Sequence, residues 1–150
     1  MYRQLFSIIF TLCLLAGGGA MAAYAQIESD VTVNADIPYA FTVMDRTLPA
    51  GKYTIKVLDS DEPNVLEISS ADGRTSVLVN TEDTQSARTP DKTKLVFDKV
   101  GDQYFLSQVW IAGDESGSQL VKTKMEQRLE NSGANREQLS VNAQRGDARQ

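Results

Sequence analysis

The sequence predicts an all-β fold: a small antiparallel β-sandwich or barrel of about seven strands, a short C-terminal helix and a disordered tail. Three observations predict it. Apolar and polar residues alternate with a period of two along several short segments. Pairs such as Asp72-Gly73 and Gly101-Asp102 punctuate those segments at hairpin spacing. Finally, no long helical stripe separates one strand from the next, as the crossovers of a parallel sheet require.

The elements begin behind an export signal. Arg3 is the only charged residue before Glu28, and Leu5 to Ala16 is an unbroken run of largely apolar residues. That run suits the core of a secretory signal, whereas a membrane-spanning helix needs about 20 residues. Gly17-Gly18-Gly19 ends it, and Ala23-Tyr24-Ala25 supplies the small-x-small pattern for cleavage before Gln26. Residues 1–25 are therefore read as a signal peptide, and the protein as exported to the periplasm, the cell surface or the medium. Cys13 lies inside the apolar run, without the small residue that a lipidation site needs before its cysteine.

The segment 26–118 reads as the β domain. Val31 and Val33 alternate with Thr32 and Asn34, and Phe41 and Val43 continue the pattern beyond Pro38. Leu48-Pro49-Ala50-Gly51 is a turn in which Pro presets φ and Gly51 is expected to take a positive φ. Tyr53, Ile55 and Val57 form the next strand, and the polar stretch Asp59 to Asn64 breaks it. Val65 to Ser70 and Thr75 to Asn80 flank Asp72-Gly73 as a hairpin. Thr81 to Lys92 is polar, holds Pro90, and reads as a long loop. Leu95 to Val100 and Gln103 to Ile111 flank Gly101-Asp102 as a second hairpin. Strict alternation puts Tyr104, Leu106 and Trp110 on one face of that last strand and Phe105, Val109 and Ile111 on the other. Being apolar on both faces, it should be covered on both sides.

The segment 119–150 reads as a short helix and a flexible tail. Val121, Met125 and Leu129 recur at helical spacing, predicting one apolar stripe on a helix over Gln119 to Glu130, with Lys122 and Glu126 as an i,i+4 pair. Beyond Asn131 the apolar residues are few and small, too few to offset the entropy of ordering, so disorder is expected.

The segment Phe41-Thr42-Val43, four spacer residues, then Leu48-Pro49-Ala50-Gly51-Lys52-Tyr53-Thr54-Ile55 resembles a recurrent stretch in an uncharacterised group of short, exported bacterial β-rich proteins. Tyr104 to Trp110 and Leu120 to Leu129 are similar to the same group. The resemblance implies an exported β-rich fold of bacterial origin, and it carries no site residues with it. The residues themselves read as core (Phe41, Leu48, Tyr53) and as a turn (Pro49, Gly51).

Composition narrows the chemistry. The chain has no His, and its one Cys lies in the signal. Ser-His-Asp and Cys-His catalysis and the usual zinc ligand sets are excluded for the exported chain, and no cofactor is expected. Up to Ser118 the exported chain has 16 acids against 8 bases, and beyond it 4 against 6. A body this acidic is unsuited to nucleic acid. Asp59-Ser60-Asp61-Glu62 and Asp114-Glu115 offer calcium-type oxygens but lack the spacing of a calcium loop. A carboxylate-dependent hydrolase, or a Ser-Lys pair using Lys56 or Lys94, is a formal alternative without a marking motif. The leading expectation is a non-enzymatic exported domain that binds a protein or envelope component, or serves there structurally. The alternative is a module for carbohydrate or a small ligand. Its candidate stacking residues are Tyr39, Tyr104 and Trp110, with Tyr53 beside them. Core packing is the competing account of all four.

Overall fold

The computed structural model describes residues 31–57 and 64–146. The expected signal peptide, its expected cleavage point and most of the Asp59–Asn64 break lie outside the described residues. Among the described residues ten strands and one helix follow in chain order: β1 (Thr32–Ile37), β2 (Phe41–Val43), β3 (Arg46–Leu48), β4 (Gly51–Val57), β5 (Val65–Ser70), β6 (Ser76–Gln85), β7 (Lys94–Val100), β8 (Gln103–Trp110), β9 (Ser116–Leu120), α1 (Lys124–Asn131) and β10 (Arg136–Gly146).

The sheet closes on itself. Its order runs β8-β7-β10-β1-β4-β5-β6-β9, and β9 pairs back onto β8 through Gln108, Val109 and Trp110. The result is an antiparallel barrel of eight strands, not a sandwich. Closure leaves the ring without free edges. The β2–β3 hairpin stands outside the ring and touches β8 through one parallel pairing, Thr42 with Phe105.

The two predicted hairpins are present. Gly73 and Gly101 turn them with φ of 70° and 62°, which favours glycine. Asp72 secures the first turn by accepting from the Ser70 hydroxyl at 2.6 Å and from the Arg74 amide at 3.1 Å. At the Pro49 turn Gly51 has φ 157°, positive as expected but close to extended backbone.

Three strands beyond the expected seven complete the ring and its appended hairpin. Arg46–Leu48 pairs with Phe41–Val43. Thr81–Gln85, read as loop, prolongs β6 and receives β9, a Ser/Gly-rich segment whose last two residues, Gln119 and Leu120, were expected to begin the helix. The largest correction concerns the tail. Arg136–Gly146 is no disordered extension but an eleven-residue strand inserted between β7 and β1. Its backbone groups bond on both sides, and Leu139, Val141 and Ala143 alternate inward as partly buried residues. A strand with neighbours on both edges needs few apolar side chains of its own, because the ladder satisfies its polar backbone.

The helix is also corrected. It spans Lys124–Asn131, because Ser116–Leu120 is drawn into β9 and Thr123 caps the helix with its hydroxyl, accepting from the Glu126 amide at 3.0 Å. Val121 precedes the helix and is 62% exposed, Met125 is 42% exposed, and Glu126 is the helical residue that is buried. Of the predicted stripe only Leu129 is partly buried, so the three residues do not form one packed face.

The core fills the barrel with alternating side chains such as Val33, Ile55, Ile68, Val79, Leu95 and Leu106. On β8 the strict alternation fails, because the pairing with β7 shifts between Val96 and Phe97 and leaves Ser107 unmatched. This bulge swaps the faces midway. Leu106 and Val109 belong to the barrel core, while Phe105 and Trp110 are buried outside that cluster.

Candidate functional site

Tyr39, Tyr53 and Tyr104 lie close to the core, but they do not form one platform with Trp110. Tyr39 and Tyr104 stack at 3.9 Å with planes 16° apart, and Tyr39 meets Phe97 edge-on at 5.4 Å. Both tyrosines are partly buried, and the Tyr39 hydroxyl is buried without a hydrogen-bond partner. Tyr53 is buried, edge-on to Phe41 at 5.1 Å, and its hydroxyl donates to the Pro49 carbonyl at 2.8 Å. Trp110 stands at the other end of β8, about 20 Å along the strand from Tyr104, and it is 7% exposed. Its ring lies over Gly117, and its Nε1 donates to Gln108 Oε1 at 3.0 Å. Separation and burial remove the sugar-stacking face that the sequence suggested.

The other candidates have local partners. Lys56 pairs with Glu67 at 3.2 Å, and Ser76 donates to the same carboxylate at 2.8 Å, holding Glu67 below the usual carboxylate range. Asp114 accepts from the Ser116 amide at 2.9 Å, and Glu115 from the Thr89 hydroxyl at 3.0 Å. Among the described residues no three ligating side chains gather as a metal site. No helix among them is long and apolar enough to cross a membrane.

A different cleft has the stronger chemical character. The edge of β8 is divided between β2, which meets it at Phe105, and β9, which meets it from Gln108 onward. Where the two diverge, a cleft of about 290 Å3 opens between the β2–β3 hairpin, the end of β9 and the start of α1. Its apolar lining comprises Met44, Val79, Phe105, Leu106, Leu120 and Val121. Met44 and Val121 are two of the four large apolar residues exposed among the described residues. Met44 is also the one non-glycine residue among them with positive φ, at 53°. Met44-Asp45 is a two-residue hairpin loop, and its first position ordinarily favours Gly or Asn. Holding a methionine there costs about 1 kcal/mol or more of backbone strain.

Glu126 forms the polar wall. It is 4% exposed, and among the described residues its carboxylate takes part in no ion pair. Thr123 and Glu126 have the spacing of a capping box, which turns the carboxylate toward the Thr123 amide. Burial, then the neighbouring Asp98 carboxylate, push the Glu126 carboxyl above its ordinary range, against the pull of Lys122 and the Thr123 backbone. The surrounding charges are already committed. Lys122 binds Glu130 at 2.8 and 2.9 Å, in place of the predicted pair with Glu126. Arg136 binds the buried Asp98 at 2.9 Å and lies 3.5 Å from Glu130, and Gln138 donates to Asp98 at 3.2 Å. Three carboxylates thus face two cations.

Sequence reasoning missed this site because a hairpin tip, a strand edge and a helix start converge on it from far apart in the chain. The Thr123-to-Glu126 capping spacing was legible, and it marks the true helix start. No protein-family model, curated protein or solved structure matches the chain.

Proposed function

We propose that the chain is an exported, non-enzymatic binding module that takes a small, largely apolar ligand in the cleft between the β2–β3 hairpin, β9 and α1. The observation that carries this reading is the coincidence of exposed Met44 and Val121 with strained backbone at Met44, in one concavity. Exposed apolar surface and stored strain both cost stability, and both concentrate where a protein binds. The apolar run and the Ala23-Tyr24-Ala25 pattern support export.

Other concavities support binding less well. A shallow hollow of about 440 Å3 across β10, β1 and β4 is lined mostly by polar side chains such as Asn34, Asp36, Lys52 and Asn142. A hollow of about 160 Å3 near Ile111 is smaller. The reading is tested by NMR titration of methyl-labelled protein with a set of small apolar compounds. Ligand-dependent shifts should gather on Met44, Leu106, Leu120 and Val121. Shifts scattered over the surface, or none, would reject the cleft as a site.

A further inference from the structure

We infer that the cleft selects a small amphiphile with one positive charge, its alkyl or aryl body against Met44, Leu106 and Val121 and its protonated amine against the Glu126 carboxylate. This rests on the binding-module reading and adds the chemistry of the head group. Charge complementarity decides the sign. Lys122 and Arg136, the two cations beside Glu126, are held by Glu130 and Asp98 at hydrogen-bond distance. Glu126 is left as the carboxylate of the group without an ion-pair partner, and it lines the cleft. At the rim, exposed Asp45 and Lys124 carry one charge of each sign and favour neither kind of ligand.

A desolvated carboxylate gains most from a donor that brings a compensating charge. An anionic head would meet the Glu126 carboxylate, with Asp98 and Glu130 behind it, and would find the one cation beside Glu126 in the cleft wall, Lys122, already bound to Glu130. A neutral alcohol could donate one hydrogen bond but would leave the charge uncompensated. The apolar wall demands a body that is not strongly hydrated, which disfavours inorganic cations and polyamines charged along their length.

The experiment titrates the protein with octylamine, octanol and octanoate, three probes sharing one tail, and reads methyl shifts and affinities. Octylamine should shift the methyls of Met44, Leu106 and Val121 and bind about tenfold more tightly than octanol, as a charge-assisted hydrogen bond requires. Octanoate should bind more weakly than both. Glu126→Gln keeps a side chain that serves a capping box, and it should level the amine and the alcohol. Equal affinities for amine and alcohol in the unmodified protein, or tightest binding of octanoate, would overturn the head-group inference and leave the apolar cleft standing. If no probe shifts those methyls, the binding reading itself falls. The comparison in the unmodified protein decides the matter even if the variant folds poorly.

Discussion

The hydroxyl of Tyr53 donates to the carbonyl of Pro49 at 2.8 Å, across a turn whose two ends, Leu48 and Tyr53, are both buried. This contact gives the Leu48-Pro49-Ala50-Gly51-Lys52-Tyr53 segment a structural account. Leucine and tyrosine anchor the turn in the core, and the phenol satisfies a carbonyl that the turn leaves without a ladder partner. Tyr53→Phe should keep the fold and lower stability by about 1–2 kcal/mol, since it removes the donor and orphans the acceptor. A denaturation midpoint equal to that of the unmodified protein would show that water replaces the phenol at no cost.

Trp110 and Gly117 make a second close pair, on β8 and β9 where the barrel closes. A Cβ on Gly117 would stand 2.6 Å from Trp110 Cε3 and 2.8 Å from two further ring atoms. Gly117→Ala should therefore displace the indole or part the strands, costing about 1–3 kcal/mol as overpacking does. Tryptophan emission should shift to the red in the variant. An unchanged spectrum and midpoint would mean that the ring has room to move.

The Asp-Gly and Gly-Asp hairpins were legible because each is a local event, decided by two turn residues and the alternation beside them. β9 and β10 were not. Ser116–Leu120 has a single buried apolar residue, Leu120, and Arg136–Gly146 is mostly polar. Both are strands because closing the barrel supplies partners on each edge, a long-range cause that composition does not register. The period-two placement of Leu139, Val141 and Ala143 was present in the sequence, but counting apolar residues hid it. Trp110 was assigned to the wrong face because a bulge at Ser107 leaves no mark in the alternation. The cleft was illegible for a related reason: Met44, Leu106 and Glu126 meet only once the ring has closed.

Removal of residues 132–150 tests the role of β10. The strand supplies ladders to β7 and β1, so truncation after Asn131 opens the barrel and exposes two long edges. Cooperative thermal unfolding should be lost, or the product should aggregate. Retention of the full-length melting temperature would make β10 an ornament on a ring that closes without it.

The acidity of Glu126 has a predictable sign. Its folded-state carboxyl is pushed above the ordinary value of 4.5 by burial and by Asp98. The folded state therefore holds the proton more tightly than the unfolded chain. The stability linked to that proton is fully present below about pH 4.5, and it is lost as pH rises through the higher folded value. Glu67 has the opposite slope, because Ser76 and Lys56 lower its carboxyl, and its contribution fades on acidification. Comparing Glu126→Gln with the unmodified protein isolates the first effect. The variant's relative stability should improve between about pH 4.5 and neutrality. A difference that stays flat with pH would mean that Glu126 titrates normally.

Met44 separates binding from folding most sharply. A methionine at φ 53° carries left-handed strain that glycine does not. Met44 is 48% exposed, so its removal loses the packing of about half the residue. Met44→Gly should therefore change stability by less than about 1 kcal/mol, the relief of strain being offset by the lost packing and by the greater freedom of glycine in the unfolded chain. The same change strips one wall from the cleft and should weaken an apolar ligand several-fold. A residue that costs stability yet improves binding has a functional reason to be where it is. Chemical denaturation and a ligand titration on one preparation read both effects. A destabilised variant would place Met44 among the packing residues, and a stable variant with undiminished affinity would remove the hairpin tip from the site.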